Sequence, residues 1–453
     1  MSYWDGSEYF NYPVGFIGYN QVGSLLMGWS STSGYYSNTS WNFDLKWAIL
    51  ACCDQFKEEP TRLAWARTLP GRSHRAHMVL GYAEVAPLGP RDTEIISLWG
   101  ILANGKMPLL NAWIQANIRN GEQLIGGISH YNAVNDRMPG VGAYSTSTLP
   151  STMPDLRYYV SVNPGVRIDV RSSALIQPSS IPENNYMASV PMDDFMVSVD
   201  IPYEQYQQGL VESGSYEVSP KVFDTAKVLY DVFGVNDVAL TENEGIMKAE
   251  EGNRSLVVET RSGNMHVLEN ANLLDNVGLS CTIKEGWNTA KQYLFDHNLI
   301  SNQEMNEIRD VEVIKVTEQS LDVTGAQNNA PTIDIGYIYV INRYIDNIPV
   351  NISGDGLVVY VSQNGVNWVS KQWSGVNAAG EKIDLIPSRN IIQGIGGILS
   401  VGNVTNDIKI TGIELEYYPT ATDSGIRLKP VWRCDSDNGS IIIDAETGTL
   451  ISM

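Results

Sequence analysis

The chain has 453 residues, 43% of them hydrophobic and 18% charged, which is enough for about two or three domains with real cores and too apolar for extended disorder. Its 30 Lys and Arg stand against 51 Asp and Glu, a formal charge of -21 with no basic tract, which argues against a nucleic-acid partner and against anionic membranes. No apolar run is long enough to span a bilayer.

The start, MSYWDGSEYF, is neither basic nor apolar enough for a secretory signal. Low charge, abundant Tyr and Trp and strand-rich patterning are those of exported bacterial proteins. An extracellular or cell-surface setting is therefore expected, with any targeting segment outside this sequence. The aromatic residues between Tyr3 and Tyr36 suit either a core or a platform for a surface glycan or peptide.

Short apolar runs at 24–29, 47–51 and 78–85 read as buried strands of the parallel type, and 58–68 and 108–118 read as helices. This order predicts an α/β layer, a parallel or mixed sheet with flanking helices, over residues 1–145. The Gly, Ser, Thr and Pro of 140–155 predict a linker, and 146–214 reads as linker and connecting strands.

Beyond residue 156 the pattern changes to period-two strands: YYVSV, FMVSVDI, RSLVVET, YIYVINRYI, GLVVYVSQ and IKITGIELEYY. A helix is predicted from Ser219-Pro220, an N-cap and first-turn pair, to Phe233, where Gly234 stops it. A second, around 284–297, places Trp287, Ala290, Tyr293 and Leu294 on one face. Asn288-Thr-Ala-Lys291 echoes Asp224-Thr-Ala-Lys227, and strands follow each helix, so a degenerate repeat of helix plus sheet is expected in an α+β region. DAETG at 444–448 reads as a turn in which the Asp accepts backbone N–H bonds and the Gly takes positive φ.

Cys52, Cys53, Cys281 and Cys434 have no metal spacing, and the five histidines form no metal motif, so no metal ligands and no cofactor are expected. Cys281 and Cys434 are free to pair in an oxidising compartment. Cys52 and Cys53 end an apolar strand in DLKWAILACCDQF, and two readings stay open: small apolar residues at a strand tip, or a nucleophile. The nucleophile would need an imidazole to take the thiol proton, with His77 as first candidate and His74 or His130 as substitutes. Asp54, Glu58 and Glu59 read as an acidic helix start rather than paired catalytic carboxylates.

RYIDNIPV at 343–350, the run from Gly356, Gly365, Trp373, LKPVW at 428–432 and the closing DAETG occur in the order found in PepSY-like repeats of exported Gram-positive regulatory proteins. Residues 215–453 resemble those repeats, read as 215–330 and 331–453. The resemblance implies binding or restraint of another protein, with no catalytic residue carried over.

The strand ending in Ala51-Cys52, Trp65, HMVLGY at 77–82 and Asn111-Ala-Trp113 resemble an uncharacterised bacterial caspase-like or gingipain-like domain. In active members of that clan a His-Gly after one strand and an Ala-Cys after the next make a dyad. The cysteine aligns on Cys52, but the histidine position falls at Ser31 or Thr32, whose hydroxyls cannot act as the base. The expected function is a non-catalytic, exported bacterial binding or regulatory protein with a degenerate caspase-like domain and a protein or peptide partner. The alternative is a caspase-like cysteine peptidase using Cys52 and His77, and a third reading is glycan binding.

Overall fold

The computed structural model describes residues 2–4, 9–11, 19–20, 23–24 and 47–452, apart from 51–52, 70–76, 88–89, 139–140, 142–154, 173, 177–184, 193–194, 210–211, 220–223, 236–237, 244, 261, 270–277, 323–329, 352–354, 379, 381, 401–405, 423–424 and 437–438. Residues 25–29 of the expected strand at 24–29 and the side chains of the aromatic N-terminal segment lie outside the described residues, as does most of the expected linker at 140–155. The rest is a mixed α/β, sheet-rich fold dominated by a 14-stranded and an 8-stranded sheet.

One unit recurs through the chain: a helix followed by four antiparallel strands in sequence order. It first runs from helix Thr225–Phe233 through strands Leu240–Asn243, Ile246–Glu251, Arg254–Glu259 and Met265–Leu268. It returns as helix Ile283–Asp296 with strands Asp310–Leu321, Thr332–Ile341, Gly356–Ser362 and Gly365–Gln372. Its third occurrence is helix Ser388–Ser400 with strands Ile408–Thr422, Gly425–Ser436, Gly439–Asp444 and Leu450–Ser452.

The first two units join through their equivalent last strands. Met265 pairs with Lys371 and Leu268 with Trp368 in antiparallel register, so the units are related by a local two-fold axis perpendicular to the sheet. Both unit helices consequently lie on one face. Leu229, Val232 and Phe233 of the first share a core with Trp287, Ala290 and Leu294 of the second.

The opposite face is covered by the N-terminal layer. Helices Pro90–Asn104 and Leu109–Arg119 pack Trp99, Leu110 and Trp113 against Ile314, Ile338, Tyr360 and Trp368. Covered on both faces, the strand GLVVYVS is buried at every position. The sheet continues through Leu156–Val162, Ile125–His130, Met78–Tyr82 and Trp47–Leu50, so strands on both sides of residues 145 and 330 belong to one sheet. Gly126 makes part of this pairing possible, because a Cβ there would stand 2.1 Å from the Tyr159 carbonyl oxygen.

The third unit carries its own sheet. Parallel pairing of Met196–Pro202 with Ile408–Thr422 adds the hairpin partner Asn185–Pro191 at one edge. Helix Ser388–Ser400 buries Ile391, Ile392, Ile395 and Leu399 against this sheet, although its Gly-rich sequence GIGG does not read as a helix. Trp432 is buried there, and its indole N–H donates to Ile386 O at 2.8 Å.

Local details correct or sharpen the sequence reading. Ser219 does not cap a helix: it ends strand Tyr216–Ser219 and pairs with Gly375. Asp224 caps the following helix by accepting from Lys227 N at 3.1 Å, and Gly234 closes it at φ 78. Thr282 and Glu285 form a reciprocal capping box at the second unit helix. In DAETG, Asp444 Oδ1 accepts from Glu446 N and Thr447 N at 2.9 Å each, and Gly448 has φ 71. Cys281 and Cys434 are both free: Cys281 packs at the rim of the core shared by the first two units, and Cys434 lies inside the third-unit core.

Candidate functional site

Cys52 and His74 lie outside the described residues. Their neighbours place the ends of the N-terminal strands. Trp47 pairs with Met78 and Leu50 with Gly81 in parallel, so His77 sits beside the start of this strand pair, about 13 Å along it from the Leu50 end. Past that end Asp54 N donates to Glu84 O at 2.8 Å, and the exposed, free Cys53 accepts from Ala86 N at 3.3 Å. His77 and Cys53 are therefore at opposite ends.

His77 is buried, its Nδ1 3.1 Å from Asp136 Oδ2. His130 donates its backbone N–H to His77 O at 2.9 Å, and its Nδ1 accepts from Asn132 N at 3.3 Å. Burial, then the adjacent His77, pulls the His130 pKa down. This pair ties strand Ile125–His130 to the start of strand Met78–Tyr82. Glu58 stands at the N-cap position of helix Glu59–Thr68 without a side-chain capping bond, and Glu59 lies in the first turn.

A second polar cluster is one the sequence did not announce. At the joint between the first two units, His266 is fully buried between Gln115 of the N-terminal layer and Ser370 of the neighbouring strand. His266 Nδ1 lies 3.0 Å from Ser370 Oγ and 3.4 Å from Gln115 Nε2, and Nε2 faces Glu259 Oε1 at 3.6 Å. Burial lowers the His266 pKa against the opposing pull of Glu259.

Because the folded pKa lies below the unfolded value near 6.5, the unfolded chain binds the extra proton. Stability from this site is complete above pH 6.5 and falls as pH drops below it, with a slope of up to about 1.4 kcal/mol per pH unit. Urea unfolding between pH 7.5 and 5 is expected to show this loss. His266→Gln is expected to reduce it, leaving the part owed to His130, and an unchanged slope would contradict the assignment.

A cleft of about 900 Å³ lies between the N-terminal layer, the large sheet and the third unit. Segment 342–351 bridges the two sheets there: Val350 pairs in parallel with Tyr417, and Asn351 Nδ2 donates to Glu416 Oε1 at 2.8 Å. Three guanidinium groups reach the cleft from distant parts of the chain, Arg91, Arg119 and Arg433.

Arg91 meets Glu122 at 3.1 Å at the exposed rim. Arg433 is held by Glu414 at 3.1 Å, Asp435 at 3.1 Å and the buried Glu416 at 3.5 Å. Arg119 is buried at the end of its helix, and desolvation brings its pKa down to about 10, opposed by the charges of Asp355 and Glu259. Asp355 is likewise buried, which pushes its carboxyl pKa up; it accepts from Ser374 N at 3.0 Å and lies 3.8 Å from Arg343 Nη1.

Carboxylates, guanidiniums and the amides of Asn120, Gln123 and Asn342 thus share one lining. Among the described residues no group of three or more His, Cys, Asp or Glu is placed to hold a metal ion. No described helix is long and apolar enough to cross a membrane.

No family model and no curated protein matches the chain. Among solved structures it is similar to an uncharacterised protein from Eubacterium rectale, at 13% identity and a TM-score of 0.36, over 59% of this chain and 93% of that one. It is also similar to YycH from Bacillus subtilis, at 9% identity and a TM-score of 0.31, over 70% of this chain and 79% of that one. Similarity at this level assigns neither fold nor function.

Proposed function

We propose that this chain is a non-catalytic binding protein that takes a polypeptide segment of a partner into the cleft between the third unit and the large sheet. The observation that carries the reading is the cleft's lining: guanidiniums from three separate elements, interleaved with carboxylates and amides, around about 900 Å³. A polypeptide carries charges of both signs and a polar backbone, and such a lining complements all of these. A nucleic-acid backbone would meet the carboxylates as repulsion.

The recurrence of a helix with a four-stranded meander supports the PepSY-like reading of the later chain. A degenerate caspase-like N-terminal layer and an exported or cell-surface setting complete the proposal. The test places a photo-reactive residue at Ser440, on the cleft, in the protein expressed in its native host. A discrete adduct is expected that persists in Cys52→Ala and is lost in the Arg91→Glu, Arg433→Glu double variant. Thiol-dependent peptide hydrolysis abolished by Cys52→Ala would overturn the proposal in favour of a peptidase.

A further inference from the structure

The small sheet ends in strand Asn185–Pro191, which pairs with Met196–Pro202 on one side and with no strand among the described residues on the other. Sheet edges of this length are usually blunted by lysine, by an interior proline or by a bulge. This strand reads NYMASVP, without a charged side chain, keeps an unshifted register over its seven pairs and has its proline only at the end.

Several of its side chains are anchored to the sheet and to the third-unit core. The Tyr186 ring stacks on Tyr206 at 3.7 Å between centroids, and Asn185 Nδ2 donates to Asp200 Oδ1 at 2.8 Å. Ala188 and Val190 pack against the third-unit core. On the solvent side Met187 is 71% exposed, and Met196, paired across from Pro191, is 46% exposed. The result, among the described residues, is an unpaired outward row of backbone donors and acceptors with an apolar foothold on one face.

We infer that this edge binds an extended, uncharged partner segment with lysine or arginine at its ends, added to the sheet as a further strand. Main-chain hydrogen bonds would supply the affinity, and alternate side chains would meet Met187 on one face. The basic ends follow from charge. Glu183 precedes the strand in sequence and Asp193 and Asp194 follow it, whereas Asp200, across from Met187, is already paired with Lys409 at 3.4 Å. The chain's charge of -21 also disfavours a second copy of itself as the added strand.

The inference rests on the reading of this chain as a binding protein, but it uses a surface that shares no residue with the cleft. Loss of one therefore leaves the other testable.

The probe is an eight-residue peptide of alternating valine and threonine with a lysine at each end, added to the full chain and read by amide hydrogen exchange. The free protein is expected to exchange readily at the outward amides of 185–191, and the peptide is expected to slow them. Alternate backbone N-methylation of the peptide should weaken binding by about tenfold, as should Met187→Lys with Ser189→Lys in the protein. Equal binding of the N-methylated peptide would overturn the inference. So would amides already protected in the free protein at low concentration, or protection that grows with protein concentration as a dimer forms, which would assign the edge to this chain itself.

Discussion

Trp287→Ala is expected to lower the unfolding free energy by about 3–5 kcal/mol, the cost of emptying a large, fully covered site. Trp287 is 0% exposed, and it leads the second unit helix into the core shared with the first unit. Gly286 permits that approach, since a Cβ there would stand 2.3 Å from the Tyr339 hydroxyl. The indole Nε1 has no hydrogen-bond partner, so the loss is one of packing alone. Trp287→Phe should therefore cost markedly less. Urea unfolding followed by circular dichroism checks both, and a loss below about 1 kcal/mol for the alanine variant would contradict the shared core.

Asp355→Ala is expected to cost about 3 kcal/mol, because it removes a buried carboxylate that accepts from Ser374 N and is one of the charges facing the desolvated Arg119. Arg119 is deeply desolvated and lies in the field of Asp355, while Arg343 retains Glu307 at 2.6 Å. The distinguishing result is the double variant. Removing Arg119 together with Asp355, as Arg119→Met with Asp355→Ala, should recover part of the loss, because the buried cation that Asp355 helps to offset is removed with it. A coupling of more than about 1 kcal/mol in that cycle is expected. Strict additivity would place the two charges in separate environments.

Much of the fold is legible in sequence, because local signals and tertiary context agree there. The expected helices at 58–68, 108–118 and 284–297 correspond to Glu59–Thr68, Leu109–Arg119 and Ile283–Asp296. The expected strand YIYVINRYI is instead divided: Thr332–Ile341 ends first, and Tyr344–Ile345 pairs with Ile348–Pro349 across a turn with Asp346 at φ 49 and Asn347 at φ 72.

The sequence is silent where tertiary packing overrides propensity. Helix Ser388–Ser400 contains GIGG and forms because its isoleucine face is covered by the small sheet. Ser219-Pro220 looks like a helix start, yet strand pairing with Gly375 and a side-chain cap from Asp224 move the start downstream.

The candidate site is less legible still. Cys52 and His77 stand out because their motif is local. Arg91, Arg119, Asp355 and Arg433 are scattered through the chain and meet only after three layers have packed. Arg119 carried a faint signal, a lone cation closing the apolar helix LLNAWIQANIR, but that pattern also serves the helix dipole. Asp355 sits in SGDG, which reads as a turn; its ion pair with Arg343 is visible only in the fold.

The central claim, that the chain works by binding at the cleft rather than by chemistry at Cys52, is tested most directly by the Ser440 photo-crosslink measured in the wild type, Cys52→Ala and Arg91→Glu, Arg433→Glu proteins side by side with a peptide-hydrolysis assay. The account predicts one adduct that survives loss of the thiol and disappears with the two guanidiniums. Hydrolysis that vanishes with Cys52, alongside an adduct indifferent to both arginines, would contradict it.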